Sequence, residues 1–366
     1  MIQLLGFFWF ALAITAMASG QEGSVAKIAA WELQSSGTEA SLRGLSVVSD
    51  QIAWASGAQG TVIKTIDGGA HWVRLEIPNA DPLDFRDLHA FDDKTCVVIN
   101  AGSPGFIFRT EDGGATWTEV YRNEAKTIFF DAISFWDPNR GIAFSDPQNG
   151  RLVCIESGDG GRAWTAFDES RRPEMHPGEA AFAASGTSMA VQGENTVWIA
   201  TGGEHGPDQE ASARVFLSDD GGKHWTVATT PIASTESAGI FSIAFANADH
   251  GVVVGGDYKQ PDVAISNVAI TDDAGRQWRA PLGNPPGGYR SAVAVLNLNF
   301  EAYFVAVGPT GSDVSSDWGN SWRPIDTTSF NALAFTPEGR IGWAVGSDGR
   351  VAKWVGSELV RSKSDR

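Results

Sequence analysis

Cysteine and histidine are scarce: two Cys and six His in 366 residues. Two thiols cannot staple a domain of this size. Cys96 and Cys154 sit in strand-like apolar runs, KTCVVIN and RLVCIES, and read as small buried hydrophobes. Neither CxxC nor HExxH occurs, so no metal centre is expected. Basic residues are also few, with 27 Lys+Arg against 44 Asp+Glu and a net charge of −17. A nucleic-acid binder needs a basic face to release counterions, so that class of partner is excluded. Any anion site must be a local basic island in a negative field. Only 19% of residues are charged, and long Glu/Lys/Leu/Ala stretches are missing, which disfavours helix. No Gly-rich strand-to-helix turn offers a dinucleotide site, and no cofactor is expected. What remains is 42 Gly, 14 Trp and 42% hydrophobic residues, the composition of a folded, sheet-rich chain.

Residues 2–17, IQLLGFFWFALAITAM, form an apolar run that ends in Ala18, Ser19 and Gly20. Ala16-Met17-Ala18 has the small-x-small form of a signal-peptidase site. The run is slightly short of the about 20 residues of a membrane span. Residues 1–20 therefore read as a cleaved export signal, with a retained anchor as the alternative. The mature chain, 21–366, is then periplasmic or secreted, with no further segment able to span a membrane.

One pattern recurs six times: Ser/Thr, any residue, Asp, any residue, Gly, two residues, Trp. The copies are TIDGGAHW, TEDGGATW, SGDGGRAW, SDDGGKHW, TDDAGRQW and SSDWGNSW. Their aspartates are Asp67, Asp112, Asp159, Asp220, Asp273 and Asp317, spaced 44 to 61 residues apart. An Asp that accepts from backbone N–H groups two or three residues on closes a tight turn, Gly supplies positive φ, and Trp opens the next strand. These carboxylates thus read as turn formers, not as metal or catalytic groups. Around each copy the same short strands recur, such as LRGLSVV, QIAWASG and GTVIKTI ahead of the first. A last unit, FNALAFT, IGWAVGS and GRVAKWV, has three strands and no Asp motif. AAWELQSS near the start could supply its fourth and remove the exposed edges.

Seven units of about 49 residues fill the mature chain, predicting an all-β, seven-bladed propeller of four-stranded antiparallel blades. It would be one domain, closed by pairing its N- and C-terminal segments.

The repeated motif is the Asp-box, or BNR repeat, found in sialidases, some glucanases, sorting receptors and the photosystem II stability/assembly factor family. The GWAVG-like second strands (Ile52–Gly57, Ile341–Gly346) and the run Gly60–Trp72 resemble the assembly-factor family, as does the blade count. The resemblance implies a non-catalytic scaffold that uses the top face of the ring on a protein or peptide. It also implies an arginine patch on the propeller.

Function in a propeller is expected at the starts of first strands and in the loops between second and third strands. Aligning blade openings places Arg43 (LRGL), Arg86 (FRDL) and Arg290 (YRSA) in one slot; Phe130, about Thr187, Phe241 and Asn331 fill it elsewhere. The three arginines read either as an island for a carboxylate or acidic peptide, or as three separate ion pairs. Longer loops add Asp146, Glu179, Glu204, His205 and Asp257 as candidate ligand-binding residues, with Tyr289 beside Arg290. No catalytic residue is assigned. The competing reading is a sialidase-like glycoside hydrolase with Tyr289 as nucleophile and Asp146 or Glu204 as acid, although an Arg-Ile-Pro motif is missing and the ring has a blade too many. A monomer that binds a protein, an acidic peptide or a carboxylate ligand is the expectation.

Overall fold

A computed structural model describes residues 30–204 and 211–360; the expected signal segment lies outside them. Seven antiparallel sheets follow one another around a ring. Blade one is Leu42–Val47, Ala53–Gly57, Thr61–Thr65 and Val73–Leu75, paired in chain order. The later blades open with Asp84–Ala90, Phe130–Phe135, Met189–Gln192, Ala238–Phe245, Ala292–Leu298 and Ala332–Phe335. Blade seven takes its outermost strand from Trp31–Gln34, which pairs with Val351–Trp354 and sets Trp31 opposite Trp354.

Two blades depart from four full strands. In blade three the fourth strand is only Thr165–Ala166. In blade five a single bridge, Ile270 to Arg279, stands in its place. Pro281, Pro285 and Pro286 follow closely, and proline cannot donate to a ladder.

The core is divided among the blade interfaces. Each sheet packs its neighbour through a cluster of its own, such as Ile99, Phe130, Ile133 and Ile155 between blades two and three. Burying both faces explains why second strands such as Cys96–Ala101 are continuous apolar runs instead of alternating ones.

All six Asp-boxes share one hydrogen-bond scheme. In the first, Asp67 Oδ1 accepts the His71 amide (2.9 Å), while Thr65 Oγ1 donates to Asp67 (2.9 Å) and accepts the Gly69 amide (2.9 Å). The same triplet recurs at Asp112, Asp159, Asp220, Asp273 and Asp317. The Asp thus reaches four residues on, and in two boxes three as well, at Arg162 and Lys223. That is longer than the Asx-type turn expected, because the Ser/Thr hydroxyl closes the inner part. These bonds favour the charged carboxylates: Asp67 and Asp112 are lowered to about 2. In three boxes the Trp indole caps the turn: Trp164, Trp278 and Trp322 donate to the glycine carbonyl three residues back, whereas Trp72 donates to Gln34 and Trp225 to the Arg171 carbonyl.

Candidate binding site at the channel mouth

First strands enter the blades through a repeated irregularity. The pairing with the second strand skips Arg43, Arg86, Asp131 and Phe241 in blades one, two, three and five. A bulged residue leaves the ladder and its side chain is re-aimed. Arg43, Arg86 and Phe241 accordingly line a cavity of about 560 Å³, with Phe129, Asp146 and Tyr289 on its walls.

Arg290 is not part of this set. Ala292 pairs with Val307 where Gly44 pairs with Ser56 and Asp87 with Ile99, so Ser291, not Arg290, fills the slot in blade six. A one-residue offset sends a side chain to the other face of a strand. Arg290 is buried: Nε donates to Asp313 Oδ2 (2.7 Å), Nη2 lies 2.5 Å from the same oxygen, and Nη1 bonds Thr310 (2.8 Å) and the Tyr289 carbonyl (2.9 Å). The expected island of three arginines therefore reduces to two. The same offset corrects blade three, where Asp131, not Phe130, holds the slot.

Arg86 keeps one carboxylate, donating from Nε to Asp84 (2.7 Å). Arg43 forms no ion pair among the described residues. Its one hydrogen bond runs from Nη1 to the Ala184 carbonyl (3.3 Å). Burial, and then repulsion from Arg86, hold its pKa below the ordinary value.

That carbonyl belongs to a strap of the chain itself. Residues 179–186, in the link from blade three to blade four, cross the mouth. Glu179–Ala180 pairs with Gly202–Gly203, and Gly202 pairs in turn with Gly239 of blade five. Beyond this anchor the Ala181 amide donates to Asp146 (3.1 Å), and Phe182 stacks on Phe241 with ring centroids 4.1 Å apart. The Ala183 carbonyl accepts from Arg86 (2.8 Å), and Ser185 Oγ donates to the Ser291 carbonyl (2.8 Å). At Gly186 (φ 71°) a Cβ would meet the Asp87 carboxyl carbon at 2.2 Å, so glycine is required.

Three acids lie about the mouth, Asp87 and Asp131 buried and Asp146 half-buried. Asp87 accepts the Leu88 and Ile133 amides (2.8 Å each) and is raised well above the usual carboxylate range by burial. Asp131 is fully buried, and neither carboxyl oxygen has a hydrogen-bond partner. Burial raises it well above its usual range; Asp146 adds to this, Arg86 opposes it, and the Asp146 amide, engaged with the Phe129 carbonyl (3.1 Å), pulls only weakly. Asp146 is pushed up to about 6 by burial, against the bond from Ala181. Asp131 went unnoticed in the sequence; registering FFDAISF on LRGLSVV by the residue that leaves the ladder would have found it.

The remaining sequence candidates are dispersed. Glu179 is buried and clamped by Arg214, Thr201 (2.6 Å) and the His176 amide (2.9 Å). Burial alone would raise its pKa, but these partners hold it lowered. It anchors the strap and presents no free oxygen to a ligand. Asp257 closes a turn by accepting the Lys259 amide (2.9 Å) and the Gln260 side chain (3.0 Å). Glu204 is exposed beyond Gly202–Gly203, and His205 lies outside the described residues. Tyr289 is buried against Phe241, centroids 4.7 Å apart, and burial raises its pKa although Arg43 opposes this.

Comparison with known proteins agrees with the fold. Residues 24–127 match the family model of the photosynthesis system II assembly factor YCF48. The fold is similar to that of YCF48 bound to D1 peptide, with a TM-score of 0.62 and 15% identity over 90% of this chain and 96% of that one. It is equally similar to YCF48 from Cyanidioschyzon merolae (TM-score 0.62, 17% identity, 89% of this chain and 99% of that one). The GH74 xyloglucanase from Xanthomonas campestris shares the fold over 88% of this chain but 53% of its own (TM-score 0.58, 16% identity). No curated protein matches the sequence. The chain therefore resembles the YCF48 assembly factors in fold, and in sequence over residues 24–127.

Proposed function

We propose that this chain is an exported, non-catalytic assembly scaffold that holds a segment of a partner protein at the channel mouth. The observation that carries the reading is Arg43: a half-buried guanidinium, without an ion pair among the described residues, on the wall of a 560 Å³ cavity. Beside it Arg86 retains a single carboxylate. The strap's own carbonyls engage both cations, in the manner expected of an extended acidic segment, with carboxylates forming the stronger bonds. The similar YCF48 structure holds a D1 peptide, which supports a peptide-like occupant here. The leader-like residues 1–20 support action outside the cytoplasm, in a periplasmic or secreted setting.

A sialidase-like hydrolase is less well supported. Its arginine clamp would need Arg290, which is saturated by Asp313, and its nucleophile would be Tyr289, whose phenol is buried and harder to ionise.

A displayed library of random peptides, selected on the protein and titrated by calorimetry, tests the reading. Selected peptides should carry Asp or Glu and should bind Arg43→Gln about tenfold more weakly, one charge-assisted bond being lost. Selection without acidic enrichment, or equal affinity for the variant, refutes it.

A further inference from the structure

The opposite face of the ring holds a second arrangement that the channel mouth does not involve. In an antiparallel blade, the turn after the first strand and the turn after the third share one end, away from Arg43 and Arg86. In blade six both turns carry an aromatic residue in the left-handed backbone region. Phe300 (φ 69°) follows Asn299 (φ 52°) in the tight turn joining Ala292–Leu298 to Glu301–Gly308. Glycine is the low-cost residue at that second position. Trp318 (φ 60°) occupies the Asp-box position that Gly68, Gly113, Gly160 and Gly221 fill in four other boxes. A Cβ makes this conformation costly.

Burial does not offset that cost. Phe300 is fully exposed and Trp318 is 43% exposed. Both line one cavity of about 570 Å³, together with Asn297, Glu301 and Ser316. Two strained aromatic residues that converge on one cavity point to a ligand.

The chemistry of the walls identifies it. They offer two aromatic faces and the Glu301 carboxylate, and no basic side chain lines the cavity. Glu301 already accepts the Tyr303 hydroxyl (2.7 Å), which fixes its orientation, and His250 packs on the Trp318 ring (4.6 Å). An aromatic face attracts a cation through its quadrupole, and guanidinium is the commonest partner. We propose that this cavity receives an arginine side chain from a basic segment of a partner protein, stacked on Trp318 and Phe300 and paired with Glu301. The net charge of −17 would steer such a segment to the surface.

The test uses acetyl-tri-arginine amide and its neutral citrulline counterpart as probes, followed through the indole N–H resonances of the protein. Phe300→Gly and Trp318→Gly place glycine where the backbone favours it, so both variants should fold, and they leave the net charge unchanged. The wild type should bind the arginine peptide about fivefold or more tightly than the double variant or Glu301→Gln. The citrulline peptide should produce no shift, and Arg43→Gln should bind like the wild type. Equal affinity in the double variant would overturn the proposal, as general attraction to an acidic surface would then suffice. A response to the citrulline peptide, to maltotriose or to phosphatidylcholine vesicles, without preference for arginine, would overturn it as well.

Discussion

Arg290 and Asp313 form a closed pair at the head of blade six, with two guanidinium nitrogens on one carboxylate oxygen at 2.7 and 2.5 Å. The Gly287 amide donates to the same oxygen (3.2 Å), so the pair ties the entry loop of the blade to its third strand. Arg43 has no such anchor, although both residues sit at blade openings, two blades apart around the ring.

The difference predicts opposite phenotypes. Arg290→Ala leaves a buried carboxylate without its partner and should cost about 3–5 kcal/mol. Arg43→Gln, at the cavity wall, should change stability by less than about 1 kcal/mol. Urea denaturation of both variants measures this; a stable Arg290→Ala would show the pair to be dispensable.

Asp146 predicts a pH dependence with a definite sign. Its folded pKa, about 6, lies above the ordinary 3.8, so the folded state holds the proton more tightly. The contribution is then greatest below about pH 4 and is lost as pH rises to about 6, by at most about 3 kcal/mol. Asp67 and Asp112, lowered to about 2, act in the reverse direction at lower pH: the stability they give is present above pH 3.8 and lost as pH falls towards 2. Melting curves of Asp146→Asn against the wild type between pH 4 and 7 should show the slope removed. An unchanged slope would assign it to other acids.

Within the Asp-box the buried hydroxyl should matter for stability. Thr110 Oγ1 donates to Asp112 (2.9 Å) and accepts the Gly114 amide (3.0 Å). Thr110→Val keeps the shape and removes both bonds, which should cost about 1–3 kcal/mol. Peptide binding by the folded fraction should be unaltered, as calorimetry below the melting range would report.

Gly186→Ala should release the strap. The new Cβ would collide with the Asp87 carboxyl in a backbone conformation already unfavourable to alanine. Chymotrypsin should then cut after Phe182, freed from its stack on Phe241, faster than in the wild type, while the blades stay intact. No acceleration would mean that the strap tolerates the shift.

Blade number, Asp-box turns and the position of Arg43 and Arg86 were legible because each is a local pattern repeated at blade spacing. The fate of Arg290 was not, because YRSA and LRGL look alike until strand register is known, and register depends on the partner strand. The strap was hidden for a different reason. Its bonds join Ala183 to Arg86 and Ala184 to Arg43, and no local periodicity links residues so far apart. Asp131 was missed because an acid in an apolar run, FFDAISF, reads as an interruption of the strand. The structure shows it in the slot that blades one and two give to arginine.

The seam of blade seven orders events in time. Trp31 is made early and must wait for Trp354, about 320 residues later, before it finds its place in a sheet. Six blades can pack side by side during synthesis, each on the one before, but the circle stays open until the final strands emerge. Until then Ala332–Phe335 and Gly342–Val345 have no covering outer strand, and blade one has no seventh neighbour. Closing the seam is therefore the last step in making the ring: until Trp354 meets Trp31 the molecule is an open arc with two unjoined ends.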